Sequence, residues 1–172
     1  MFCVVLTVDA PTLERWASCS HRQIRAWCDR HGYRMLVHGY NGSTWSIPRA
    51  MRWALEGHAA HCENYLYLDS DVHVRSEWRP DLDAVDPRAS FQISTVGSEV
   101  QVNNGVFFFR NAAAARAIAA WWASFGGGGC AEGGPFPEQR CAQGIVRRWP
   151  ADVRVHRNAS WNAQVAVFHT HN

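Results

Sequence analysis

Residues 63–74 read ENYLYLDSDVHV, an apolar run that ends on two aspartates one residue apart, Asp69 and Asp71. Side chains i and i+2 of an extended segment share a face, so both carboxylates can point into one crevice. Two unit charges about 4 Å apart interact by roughly 4 kcal/mol at an effective dielectric near 20. An empty, buried pair should therefore protonate or stay partly solvated. A divalent cation is the natural compensation. Oxygen-only ligands suit Mn²⁺ or Mg²⁺, ions that keep positions open for water and substrate phosphates. The plain alternative is a polar strand exit whose aspartate caps a helix, but no helical pattern follows at once. A third ligand is on offer in VAVFHTH, where His169 follows an apolar run, and imidazole suits Mn²⁺ better than Mg²⁺.

The elements that must position these groups alternate. Phe2–Val8 is a short, almost unbroken apolar run and predicts a buried strand. Apolar or small residues from Thr12 to about His31 recur on one helical face, and Gly32 stops that helix. Tyr33–His38 predicts a second strand, Pro48 opens a helix running to about His58, and Tyr65–Leu68 is a third strand. This β-α-β-α-β order predicts an α/β fold, a mostly parallel sheet flanked by helices. In such sheets ligands collect beyond the C-terminal ends of the strands, which is where Asp69 and Asp71 fall. Further strands are expected at 90–95, 102–110, 153–156 and 164–168, with helices at 112–125 and 138–149. The segment 125–137 carries six glycines and reads as a loop, a candidate lid. No linker divides the chain, so residues 1–172 are expected to form a single domain.

Composition narrows the function classes. The 172 residues are 47% hydrophobic with nine Trp and eight Phe, which demands a core rather than disorder. A net charge of +2 with scattered arginines gives no case for nucleic acid. All seventeen basic residues are Arg, so Schiff-base chemistry and a Walker A phosphate loop are excluded. Cys3 and Cys62 read as core residues, whereas Cys130 and Cys141 flank the glycine loop and could bridge. There is no close CxxC pair to suggest zinc. No run is long enough for a membrane span, and the chain opens directly on a strand, so a cytoplasmic location is expected.

Several segments together resemble a known family. Asp69-Ser70-Asp71 after an apolar strand resembles the DxD motif of nucleotide-sugar glycosyltransferases of the GT-A (Rossmann-like) fold. More closely, the chain is similar to the galactosyl- and xylosyltransferase group related to yeast Golgi mannan galactosyltransferases. His31-Gly32-Tyr33 matches that group's HGY. Thr44-Trp45-Ser46-Ile47-Pro48 resembles its Trp- and Lys-bearing helix start, with Ser46 where lysine is usual. Residues 103–111, NNGVFFFRN, resemble its N-x-G-x-F-x-x-R-N strand, and Glu138-Gln139 and Phe168-His169 fit its later motifs.

The resemblance implies retaining, Mn²⁺-assisted transfer from a nucleoside diphosphate sugar, a UDP-sugar, to a carbohydrate or glycosylated acceptor. It also implies a secretory anchor, which is not expected here. It assigns Asp69, Asp71 and His169 to the metal. The end of the first strand, Thr7, Val8 and Asp9, is placed at the nucleotide, with Asp69, Asn104 and Gly105 also at the donor. Asn103, Glu138 and Gln139 are placed at the transferred sugar. The plain readings are that Asp9 is a turn residue and that Glu138 favours its helix N-terminus. Arg110 has two readings, a pair with a core carboxylate or a fork to phosphate. Trp45 and Trp161 are candidate sugar-stacking platforms. Two rival readings stand beside it: a phosphohydrolase of the haloacid dehalogenase type, which wants its pair on the first strand and a lysine, and a catalytically inactive nucleotide-sugar or glycan-binding relative.

Overall fold

The computed structural model describes residues 1–8, 18–39, 43, 45–96, 101–125, 137–156 and 165–167. In chain order the strands are β1 (Phe2–Val8), β2 (Arg34–Gly39), β3 (Asn64–Leu68), β4 (Val72–Val74), β5 (Phe91–Val96), β6 (Gln101–Arg110), β7 (Val153–His156) and β8 (Val165–Val167). The helices are α1 (Ser18–His31), α2 (Ser46–Gly57), the single turn α3 (Pro80–Asp83), α4 (Ala113–Ser124) and α5 (Pro137–Arg148).

Six strands form one sheet in the order β2-β1-β3-β6-β5-β7. β1 is parallel to β2 and β3, β5 is parallel to β7, and β6 runs antiparallel to both β3 and β5. The expected mostly parallel sheet is present, with β6 the one reversed strand. Alternation along the strands feeds two cores. Cys3, Val5, Tyr65, Tyr67, Phe107 and Phe109 pack on the face covered by α2, α4 and α5. Val4, Leu6, Leu66, Leu68 and Phe108 pack on the opposite face against Ile24, Trp27 and Cys28 of α1. Both faces are buried, which is why β1 and β3 read as continuous apolar runs rather than alternating ones.

Gly32 ends α1 with φ +70°, a left-handed conformation that suits glycine, and Tyr33 N–H closes back on Cys28 O at 2.9 Å. α2 starts two residues before Pro48. A proline in the first turn lacks only an N–H that has no intrahelical partner there. Trp45 is 9% exposed and belongs to the core beside α2, so it is not a stacking platform. Trp161 lies outside the described residues.

β4 and α3 were not anticipated. After Asp71 the chain enters a three-residue strand that pairs antiparallel with β8, too short a run for alternation to show. Cys3 and Cys62 are core residues as read, but they are also bonded to each other, tying β1 to the segment before β3. Cys141 is disulfide-bonded as well, while Cys130 lies outside the described residues.

Candidate active site

Asp69 follows the last residue of β3 and is fixed by its backbone first, its N–H donating to Gly105 O at 2.9 Å. The sheet is deformed here. β5 and β6 pair Ile93 with Phe107 and then Ser94 with Asn103, so residues 104–106 of β6 oppose no residue of β5. Such bulges re-aim side chains beside functional sites. Asn103 Oδ1 accepts from Gly105 N–H at 3.0 Å and holds the bulge. A Cβ at Gly105 would come within 2.6 Å of Asp69 Oδ2, so the absence of a side chain is what admits the carboxylate.

Asp69 Oδ1 accepts from the Tyr67 hydroxyl at 3.0 Å, and that phenol lies 2.8 Å from Thr7 Oγ1. Thr7 is buried, so its hydroxyl faces the protein beneath the site. Asn104, also buried, donates from Nδ2 to Glu138 Oε1 at 3.2 Å. Glu138 sits in the first turn of α5, a position favourable to a carboxylate. It is 2% exposed, and its Oε2 has no hydrogen-bond partner among the described residues. Gln139 turns away, its Nε2 donating to Val102 O.

The electrostatics are one-sided. Burial, then the charge of Asp71, then that of Glu138 push the Asp69 carboxyl up to about 7, opposed by the Tyr67 hydrogen bond. Among the described residues no ion pair involves Asp69, Asp71 or Glu138. Carboxylates without an ion pair, and a Glu138 oxygen without a partner, among the described residues fit a hard cation. They do not complete its shell: no three His, Cys, Asp or Glu among the described residues converge on one ion. The third expected ligand, His169, and the nucleotide residue Asp9 lie outside the described residues. Val8 is at the end of β1, beside Gly39 of β2.

The structure therefore brings Thr7, Asp69, Asn103, Asn104, Gly105 and Glu138 together. It separates Arg110, which pairs with Asn64 at the start of β3, the far end of that strand from Asp69. Its Nη1 donates to Pro87 O. Neither the phosphate nor the core-carboxylate reading is realised among these contacts. Tyr67 was missed because an aromatic inside an apolar strand reads as core. Its only signal is the i, i+2 spacing to Asp69.

No family model matches the chain, and no curated protein matches its sequence. Solved structures do match. A glycosyltransferase involved in glycosylation of the major capsid of PBCV-1 aligns with a TM-score of 0.71 at 18% identity, over 91% of this chain and 81% of that one. The glycosyltransferase GlyE of Streptococcus pneumoniae TIGR4 aligns at 0.58 and 15% identity, over 90% of this chain and 44% of its own. The chain thus spans under half of that enzyme's length. A mutant Drosophila beta-1,4-galactosyltransferase 7, in complex with manganese, UDP-Gal and xylobiose, aligns at 0.60 and 11% identity, over 98% and 71%. The chain has the fold of GT-A glycosyltransferases.

Proposed function

We propose that the chain is a metal-dependent glycosyltransferase that moves a hexose or pentose from a UDP-sugar, with retention, to a carbohydrate or glycosylated acceptor. The observation that carries the reading is the Asp69 carboxylate at the C-terminal edge of the sheet, buried beside the charges of Asp71 and Glu138 with no ion pair among the described residues. A bound Mn²⁺ or Mg²⁺ would neutralise the departing diphosphate as a Lewis acid. Asp71 and Asp69 would be the chain's own oxygen ligands, with His169 as a third ligand through its imidazole nitrogen. Asn104 orients Glu138 so that Oε2 stays available to a donor hydroxyl, with Asn103 beside it; Gln139, assigned to the sugar by the motif resemblance, would have to release Val102 O to reach it. The motif resemblance assigns Thr7, Val8 and Asp9 to the nucleotide; the Thr7 hydroxyl itself is engaged by Tyr67. No described helix is long and apolar enough to cross a membrane.

The yeast mannan-type resemblance enters as the source of the retaining and UDP assignments and rests on the motifs alone. The expected cytoplasmic location is set against the Cys3–Cys62 disulfide, a bond that persists in oxidising media. We therefore favour folding in such a medium.

Calorimetric titration of UDP, with and without Mn²⁺, tests the assignment. Wild type should bind UDP far more tightly with metal, and Asp71→Asn should lose that gain by roughly a hundredfold, as removing a direct ligand from a site with few of them implies. Equal binding by Asp71→Asn would sink the site, and GDP binding in place of UDP would change the donor. A second reading, a binding relative without turnover, is favoured by Ser46. It is 1% exposed in the first turn of α2, at the place where the resembling family carries lysine. Metal-dependent UDP-sugar binding with neither hydrolysis nor transfer would select it.

A further inference from the structure

We propose that Tyr67 is a positioning residue for the metal site, presenting one chosen oxygen of Asp69. The inference rests on the functional reading above. Tyr67 is fully buried in β3, its ring stacked on Phe107 with centroids 4.7 Å apart. Thr7, Tyr67 and Asp69 lie on the same face of neighbouring strands, Thr7 on β1 and the other two on β3 or just beyond it. Tyr67 has one hydroxyl proton, which goes to Asp69 Oδ1. The proton in the 2.8 Å contact with Thr7 therefore comes from Thr7 Oγ1. The result is a directed chain, Thr7 to Tyr67 to Asp69, running through the core into the carboxylate.

That chain removes a freedom an aspartate at a strand exit would otherwise keep. Oδ1 is held from below, the backbone N–H is held by Gly105 O, and Oδ2 lies against the bare Cα side of Gly105. The carboxylate is thus locked in one rotamer, and Oδ2 is the oxygen left for a cation or donor. Partners of this kind orient a ligand without touching the metal. Thr7, expected at the nucleotide, acts through its hydroxyl on Tyr67, so the end of β1 is linked mechanically to the acidic pair.

The test is Mn²⁺ binding by the full chain, read from the electron paramagnetic resonance of the free ion, with and without UDP. Tyr67→Phe keeps the ring and removes the donor, and it should weaken Mn²⁺ binding by roughly 10- to 100-fold, as loss of a ligand-orienting partner does. Thr7→Val should weaken it less, and should add nothing in the Tyr67→Phe background, because the chain is already cut there. A merely structural role would make the two losses additive, which would overturn the proposal. Wild-type binding with unchanged affinity in Tyr67→Phe would overturn it and leave the metal site standing. No Mn²⁺ binding by wild type, with or without UDP, would overturn both. Should Tyr67→Phe not fold, Thr7→Val decides, and unchanged affinity in that variant counts against the chain.

Discussion

The two edges of the sheet carry carboxylates in opposite conditions. At the C-terminal edge Asp69 is pushed up to about 7 by burial and by the charges of Asp71 and Glu138. At the N-terminal edge of β5 and β7 Asp86 is pulled down to about 2, chiefly by the backbone and side chain of Arg88 and then by Arg154. Its Oδ1 accepts from Arg88 N–H at 2.9 Å, and its Oδ2 lies 3.1 Å from Arg154 Nη2. The same edge holds the Cys3–Cys62 bond and Asn111, whose amide reaches Ala59 O and Cys62 O. One edge meets the charge of its carboxylate with arginines, and the other, among the described residues, leaves charge for something else to meet. Perturbed carboxylates cluster at functional sites, which is why the proposal puts the ligand at this edge.

The sharpest way to break this contrast is to fill the space that makes the acidic edge possible. Gly105→Ala puts a methyl 2.6 Å from Asp69 Oδ2, and that short side chain is tethered by Tyr67. The carboxylate must leave its seat, so metal-dependent UDP binding should fall by about a hundredfold, comparable with the loss of a ligand or its orienting partner. Calorimetry on the folded variant checks this. Wild-type affinity would mean that Asp69 does not need its observed position.

The opposite edge should behave in the reverse manner. The Cys3–Cys62 bridge spans 59 residues of sequence and joins β1 to the entry of β3. Removing it as Cys3→Ala/Cys62→Ala should lower stability by roughly 2–4 kcal/mol, measured by urea unfolding, and leave Mn²⁺-dependent UDP binding unchanged. A loss of binding without a loss of stability would dissolve the division between the edges. So would a wild-type chain whose Cys3 and Cys62 react with a thiol reagent after denaturation without reductant.

These regions were not equally legible. β1, β3 and the acidic pair could be read because a buried parallel strand is a continuous apolar run, and a like-charge doublet at its end has few structural uses. Gly105 and the asparagines before it were visible as residues, but the bulge that makes them matter is a register shift against β5, invisible in one strand alone. The Cys3–Cys62 bond was hidden for the same reason, since pairing depends on which strands become neighbours. Trp45 and Arg110 misled in the other direction. A Trp beside a helix start can as easily pack under it, and an Arg in a motif strand acts at whichever end of the sheet the strand direction puts it. β6 runs antiparallel, and that single reversal carries Arg110 away from Asp69.

The last contrast is in sign. Asp69 rises from an ordinary 3.8 to about 7 on folding without metal, so the folded chain binds more protons than the unfolded one between those values. Stability therefore falls as pH climbs through that window; the penalty is absent below it, complete above it, and on the order of a few kcal/mol at most. Asp86 does the opposite. Its folded value lies below 3.8, so its contribution is present above that pH and drains away as pH falls toward 2. In chelator-treated protein, Asp69→Asn should gain stability relative to wild type between pH 4 and pH 7, windows taken from the same shift. Asp86→Asn should lose stability relative to wild type at neutral pH and converge on it in acid. Added Mn²⁺ should cancel the Asp69 slope and leave the Asp86 slope alone, because Asp86 already pairs with Arg88 and Arg154 whereas Asp69 has no ion pair among the described residues. Slopes of the same sign in the two variants would mean that Asp69 has a counter-charge in solution and that the two edges are alike.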